Sequence, residues 1–187
     1  MKPLVAALFL AVAALPAQAE PETFTIDPNH TFPTFEYTHF GVSVQRGRFG
    51  KTTGKVTVDT AAKTGNVEAV IDATTVEAGP PRLAEHLRSA DFFDVAKHPT
   101  AAFKGSAFTF DGDKVKSVAG ELTILGVTKP VTLTAVAFNC GQNPQKKRIC
   151  GGDFATTIKR SDFGMSKFVP AVSDEVVLRI GVEAFKD

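Results

Sequence analysis

The chain contains no tryptophan, a single tyrosine and two cysteines, against sixteen phenylalanines. Sugar platforms and base-stacking sites draw on Trp and Tyr, whose rings carry a polar handle, whereas Phe offers apolar area alone. The bias points away from those ligands and toward a greasy interior, although an ordinary core would use Phe as well. Neither sign of charge dominates: 21 Lys and Arg stand against 20 Asp and Glu, a net +1 at pH 7. With the signs interspersed, no basic stripe exists to follow a phosphate backbone, which excludes nucleic acid as a partner. Gly-x-Ser-x-Gly, His-Glu-x-x-His and Cys-x-x-Cys-His are all missing, and with them the usual hydrolase, metalloprotease and haem signatures. No catalytic residue, cofactor or metal is therefore expected, and the protein is expected not to be an enzyme.

Long apolar runs are scarce too. The one candidate is Leu4 to Leu15, preceded by Lys2 and followed by Ala17-Gln18-Ala19. It is too short for a span and has the charge, apolar run and small-x-small exit of a secretory signal peptide. Residues 1–19 are expected to be removed, leaving residues 20–187 as one soluble, exported domain without stable membrane insertion. In an exported chain, Cys140 and Cys150 form a disulfide. A zinc site in that stretch would need a local histidine or a second cysteine pair, and has neither.

What remains is written mostly in strands. Apolar and polar residues alternate with a period of two over Phe24–Asp27, His30–Phe40, Phe49–Asp59 and Val67–Ala73. Gly41 and the Gln45-Arg46-Gly47 region are expected to break the second run. Alternation resumes over Thr100–Phe110, Val115–Leu125, Val127–Asn139, Phe154–Ile158 and Glu175–Phe185, with a hairpin turn at Asp111-Gly112-Asp113. Val131, Leu133, Ala135 and Ala137 are expected to share one face, as are Val176, Leu178, Ile180, Val182 and Ala184. Pro130 suggests an edge or a bulge. An antiparallel sheet of about eight strands closes into a barrel or splits into a sandwich. Small residues on inward faces (Ala69, Ala73, Ala101, Ala135, Ala137) favour a barrel with room inside.

Only Pro80–Asp94 has a helical pattern. Pro80 and Pro81 can start a helix, Leu83, Ala84 and Leu87 share a face, and Phe92 and Phe93 follow. The segment suits a lid across an opening. It equally suits a crossover that plugs a core, and periodicity does not separate the two.

Taken in order, several blocks resemble the YceI family. They are Asp27-Pro28-Asn29-His30, His39-Phe40-Gly41, Gly47-Arg48-Phe49, His86 to Phe93, Gly120-Glu121-Leu122-Thr123, Gly126 to Val131, Arg160 to Met165 and Asp174-Glu175-Val176. The resemblance implies an all-β, lipocalin-like antiparallel barrel with one short helix, periplasmic, that binds a polyisoprenoid or a related fatty amphiphile. The apolar chain would lie along the axis, with its polar head near an opening. One departure concerns a family arginine three residues before His86, where this chain has Leu83 and the arginine is Arg82. The expected lumen and mouth residues are His30, Phe35, His39, Phe40, Arg82, His86, Leu87, Phe92, Phe93 and Phe163. Two other readings are carried forward: a stress-associated enzyme using His30, His39 or His86 as acid–base groups, and a filled barrel serving as a protein-interaction module. A homodimer is neither supported nor excluded by the strand patterns.

Overall fold

The computed structural model describes residues 20–187; the expected signal peptide over 1–19 lies outside the described residues. Eleven strands form one antiparallel sheet: β1 (Glu22–Ile26), β2 (Phe32–His39), β3 (Ser43–Phe49), β4 (Thr52–Asp59), β5 (Thr64–Asp72), β6 (Val76–Glu77), β7 (Thr100–Asp111), β8 (Lys114–Ile124), β9 (Val127–Gln142), β10 (Arg148–Lys159) and β11 (Glu175–Lys186). The order runs β1-β4-β5-β7-β8-β9-β10-β11, and β1 pairs back onto β11 through Phe24↔Lys186 to Ile26↔Ala184. That closure makes an eight-stranded barrel, with β2, β3 and β6 as extra strands. The extra strands are continuations. One edge of β11 carries β1 near its C-terminal end and β2 along its first half, so β1 and β2 follow one line. In the same way β3 follows β4, and β6 follows β5.

Each splice has a local cause. Between β1 and β2, Asp27 turns the chain by accepting the Asn29 N–H at 2.9 Å, and Pro28 removes a ladder donor. Between β5 and β6, a single 3-10 turn over Ala73–Thr75 is capped by Asp72, which accepts from the Thr74 N–H. Opposite it, the Thr75 hydroxyl accepts from the Gly50 N–H at 2.9 Å and fixes the β3–β4 junction.

Two sequence expectations need correction here. Gln45-Arg46-Gly47 does not break the chain but lies within β3, paired to β2. Gly47 belongs there because the Phe35 ring covers its missing side chain, where a Cβ would collide with the ring. Ala137 does not share a face with Val131, Leu133 and Ala135. The β9–β10 register slips between Asp153 and Phe154, leaving Val136 unmatched, so Phe138 turns inward and Ala137 outward. Pro130 lies where β9 pairs only with β8, because the β10 ladder stops at Ala155↔Thr134. No partner asks it for an N–H there.

The helix α1 (Pro81–Arg88) is shorter than the 80–94 stretch. Pro81 starts it, Ala84 and Leu87 are buried, and turns carry the chain on through residue 97. The Phe93 N–H donates back to the Leu87 carbonyl at 2.9 Å, tucking both Phe92 and Phe93 beneath the helix end. Cys140 and Cys150 face each other across β9 and β10 as a disulfide. Closing so short a loop restricts the unfolded chain by roughly 2–3 kcal/mol. Replacing both cysteines by Ser is expected to lower Tm by about 5–10 °C. Calorimetry on the two proteins checks this, and an unchanged midpoint refutes it.

Candidate ligand cavity

The inward faces of the strands do not meet. They enclose a cavity of about 750 Å³, within the range of sites that bury small amphiphilic ligands. A lumen filled with side chains, as the interaction-module reading requires, is not what the barrel contains. Val56, Val58, Val67, Ala69 and Ile71 line one side, and Val176, Leu178, Ile180, Val182 and Ala184 line another. These are the single-face sets that the alternation picks out, because a strand buried on one side puts every second residue on that side.

Polar groups concentrate at the two ends. At one, His39, His86 and Arg160 border the cavity with Leu83, Phe168 and Ala171. At the other stand Glu22, Asp113, Lys114, Asn139 and Arg148. In between, the wall is almost wholly apolar. Thr31 is buried but spends its hydroxyl on the backbone of Glu183. Thr52 is 3 % exposed, and its hydroxyl is, among the described residues, the buried side-chain group left without a partner.

Of the ten residues expected at the lumen and mouth, Phe35, His39, Phe40, His86, Leu87, Phe92, Phe93 and Phe163 line the cavity. His30 and Arg82 do not. His30 sits on the β1–β2 splice outside the barrel, its Nδ1 2.6 Å from Asp27. Arg82 is exposed on α1 and stops short of the cavity, lining instead a shallow surface pocket with Pro80, Leu83 and His86. His86 places Nε2 3.0 Å from Asp91 and packs its ring edge-on against Phe92 and Phe168. Asp91 is held below the usual carboxylate range by Lys167 and then by His86. His39 lies against the Phe40 ring.

Sequence reasoning missed Arg160. It is 4 % exposed and donates to the Ser173, Met165 and Val172 carbonyls at 2.9, 2.7 and 2.9 Å. The guanidinium thus staples the segment 165–173 over the end of the barrel, and it lies 6.0 Å from the centre of the Phe92 ring. Burial lowers its pKa, opposed by the nearby Asp174 charge. The surrounding Arg-Ser-Asp-Phe-Gly-Met block is visible in the chain, but nothing local shows an arginine that serves distant carbonyls.

The Asp27–His30 pair predicts a pH dependence. The hydrogen bond from His30 holds Asp27 below the usual carboxylate range, and the same bond raises His30 above 6.5. The stabilisation tied to His30 is complete below 6.5 and is lost as pH rises through its raised value; that tied to Asp27 is present above 3.8 and is lost as pH falls. The Tm advantage of the wild type over His30→Gln is therefore expected to be largest near pH 5–6 and to shrink by pH 8–9. Thermal melts across that range check it, and a constant difference counts against the pair. Glu183 completes a group whose ligand atoms lie within 4.8 Å of one another, but the Asp27 oxygens are already engaged by Asn29 and His30.

A closed antiparallel barrel around an apolar cavity with polar ends is capable of binding a hydrophobic, lipid-like ligand. The chain belongs to the family of YceI-like domains, whose model matches residues 24–184. It is 34% identical over 190 residues to a UPF0312 protein of Azotobacter vinelandii, covering 100% of this chain and 99% of that one. Among solved structures it resembles a YceI protein of Campylobacter jejuni, with TM-score 0.68, 26% identity, and 80% and 90% of the two chains covered. A polyisoprenoid binding domain from Saccharophagus degradans shares the fold at TM-score 0.61 and 14% identity, over 88% of this chain and 98% of that domain. Among the described residues no helix is long and apolar enough to cross a membrane.

Proposed function

We propose that the protein is an exported, periplasmic carrier that holds a long-chain polyisoprenoid or similar amphiphile in the barrel. The chain lies along the axis and the polar head rests at the α1 end, beside His39 and His86. The observation that carries this reading is the continuous apolar wall between two polar ends. A prenyl or acyl chain is nearly insoluble in water, and each methylene moved into such a wall gains about 0.8 kcal/mol. A handful of buried methylenes offsets the entropic cost of association. Imidazoles that donate or accept suit an uncharged or anionic head alike. The likeness in fold to a domain described as polyisoprenoid-binding supports the choice of ligand class.

A single chain encloses the whole cavity, so carriage requires no homodimer; light scattering on the purified protein reports whether one forms. The test of the function is gentle purification of the exported protein, organic extraction and mass spectrometry. A bound long-chain isoprenoid or fatty amphiphile is expected. A protein that emerges empty and takes up no long-chain lipid afterwards refutes the reading.

A further inference from the structure

Among the described residues seven large apolar side chains are well exposed, and five of them lie on two segments at one end of the barrel. Phe40 (68 %), Val42 (85 %) and Val44 belong to the β2–β3 hairpin tip, Phe168 (43 %) and Val169 to the segment that Arg160 holds down. The two segments are neighbours: the Phe40 N–H donates to the Ala171 carbonyl, and His39 bridges to Val172. Phe40 and Phe168 also line the cavity. Through these two rings the apolar wall of the lumen reaches the outer surface beside the polar His39 and His86.

Both rings are kept there against backbone preference. Phe40 has φ 51° and Phe168 φ 65°, the left-handed region that glycine or asparagine enters more easily than a bulky residue. Strain retained at an exposed aromatic points to a use for the ring. Neither residues 40–47 nor residues 164–172 contain an acidic residue. Their two cations are already matched, Arg46 by Glu36 and Lys167 by Asp91. The rim is thus apolar and close to neutral, with nothing that repels a phospholipid headgroup layer.

We propose that this rim docks the α1 end of the barrel on a lipid bilayer, so that the amphiphile passes between membrane and lumen without crossing water. The proposal rests on the carrier reading for its purpose, but the docking itself is measurable without any cargo. Exposed valines and phenylalanines would enter the headgroup boundary, as in other interfacial anchors. The partner is a lipid surface because the patch is continuous with a lipid-sized cavity; a protein partner would leave that continuity without a role.

The experiment uses vesicles of phosphatidylethanolamine with a minor share of phosphatidylglycerol, and flotation of the mature protein. Val42 and Val44 are exposed and do not line the cavity, so Val42→Asp/Val44→Asp places two charges in the rim without touching the lumen. The wild type is expected to float with vesicles and the variant to partition about tenfold more weakly, or less. A fluorescent fatty acid supplied as monomer is expected to bind both proteins equally. Equal flotation of the two proteins, or no flotation of the wild type, overturns the docking. So does a wild-type dimer, seen by light scattering and dissolved by the same substitutions, that does not float. Failure of the fatty acid to bind either protein would refute the carrier reading instead, whatever the flotation shows.

Discussion

Replacing Ala69 and Ala101 together by Trp is expected to weaken lipid binding by about two orders of magnitude while the barrel still forms. The two alanines sit on neighbouring strands and both face the lumen, where Ile71 pairs with Ala101 and Ala69 with Phe103. Two indoles would occupy the path of the chain and displace several methylenes. At about 0.8 kcal/mol for each, the loss of four methylenes weakens binding by roughly 200-fold. The outward faces and the ladder hydrogen bonds are untouched, so far-ultraviolet circular dichroism is expected to keep its β signature. Titration with a fluorescent long-chain fatty acid measures the effect. Undiminished affinity in a folded variant would place the ligand outside the barrel.

The second large effect is expected at Arg160. Arg160→Met keeps the apolar stem but removes the donors to three carbonyls of the segment 165–173. Leaving buried acceptors unpaired costs about 1–3 kcal/mol each, less where water reaches them. A total of roughly 3 kcal/mol lowers Tm by about 6–12 °C. Because Met165, Phe168 and Val172 border the cavity, lipid dissociation is expected to accelerate as well, by about tenfold. Arg160→Lys is expected to restore little, since one ammonium does not span the fork that a guanidinium fills. Full recovery with Lys would show that charge, not geometry, holds the segment. Stopped-flow displacement and thermal melts separate the two outcomes.

Much of this architecture is legible residue by residue. Val176 through Ala184 mark their face by strict alternation, and Val67, Ala69 and Ile71 do the same. Leu83, Ala84 and Leu87 mark the covered side of α1. Two of the errors share one origin. Gly47 looks like a break until Phe35 is placed above it, and Ala137 looks inward until the slip at Val136 turns it over. His30 and Arg82 are expected at the mouth, yet neither borders the cavity. For Gly47 and Ala137 the deciding feature is a partner distant in the chain or an irregularity that periodicity does not encode.

Period-two alternation was sufficient to mark most of the strands, and the helical spacing of Leu83, Ala84 and Leu87 the one α-helix, because side-chain direction is a local property of each element. The pairing of cysteines followed from composition and address. Whether the sheet shuts, and around what, was decided by contacts such as Thr31 with Glu183, 152 residues apart, and by the seam of β1 against β11. Closure, the hollow it leaves and the arginine staple over its end are properties of strand register and of long-range pairing, and no short window of residues carries them.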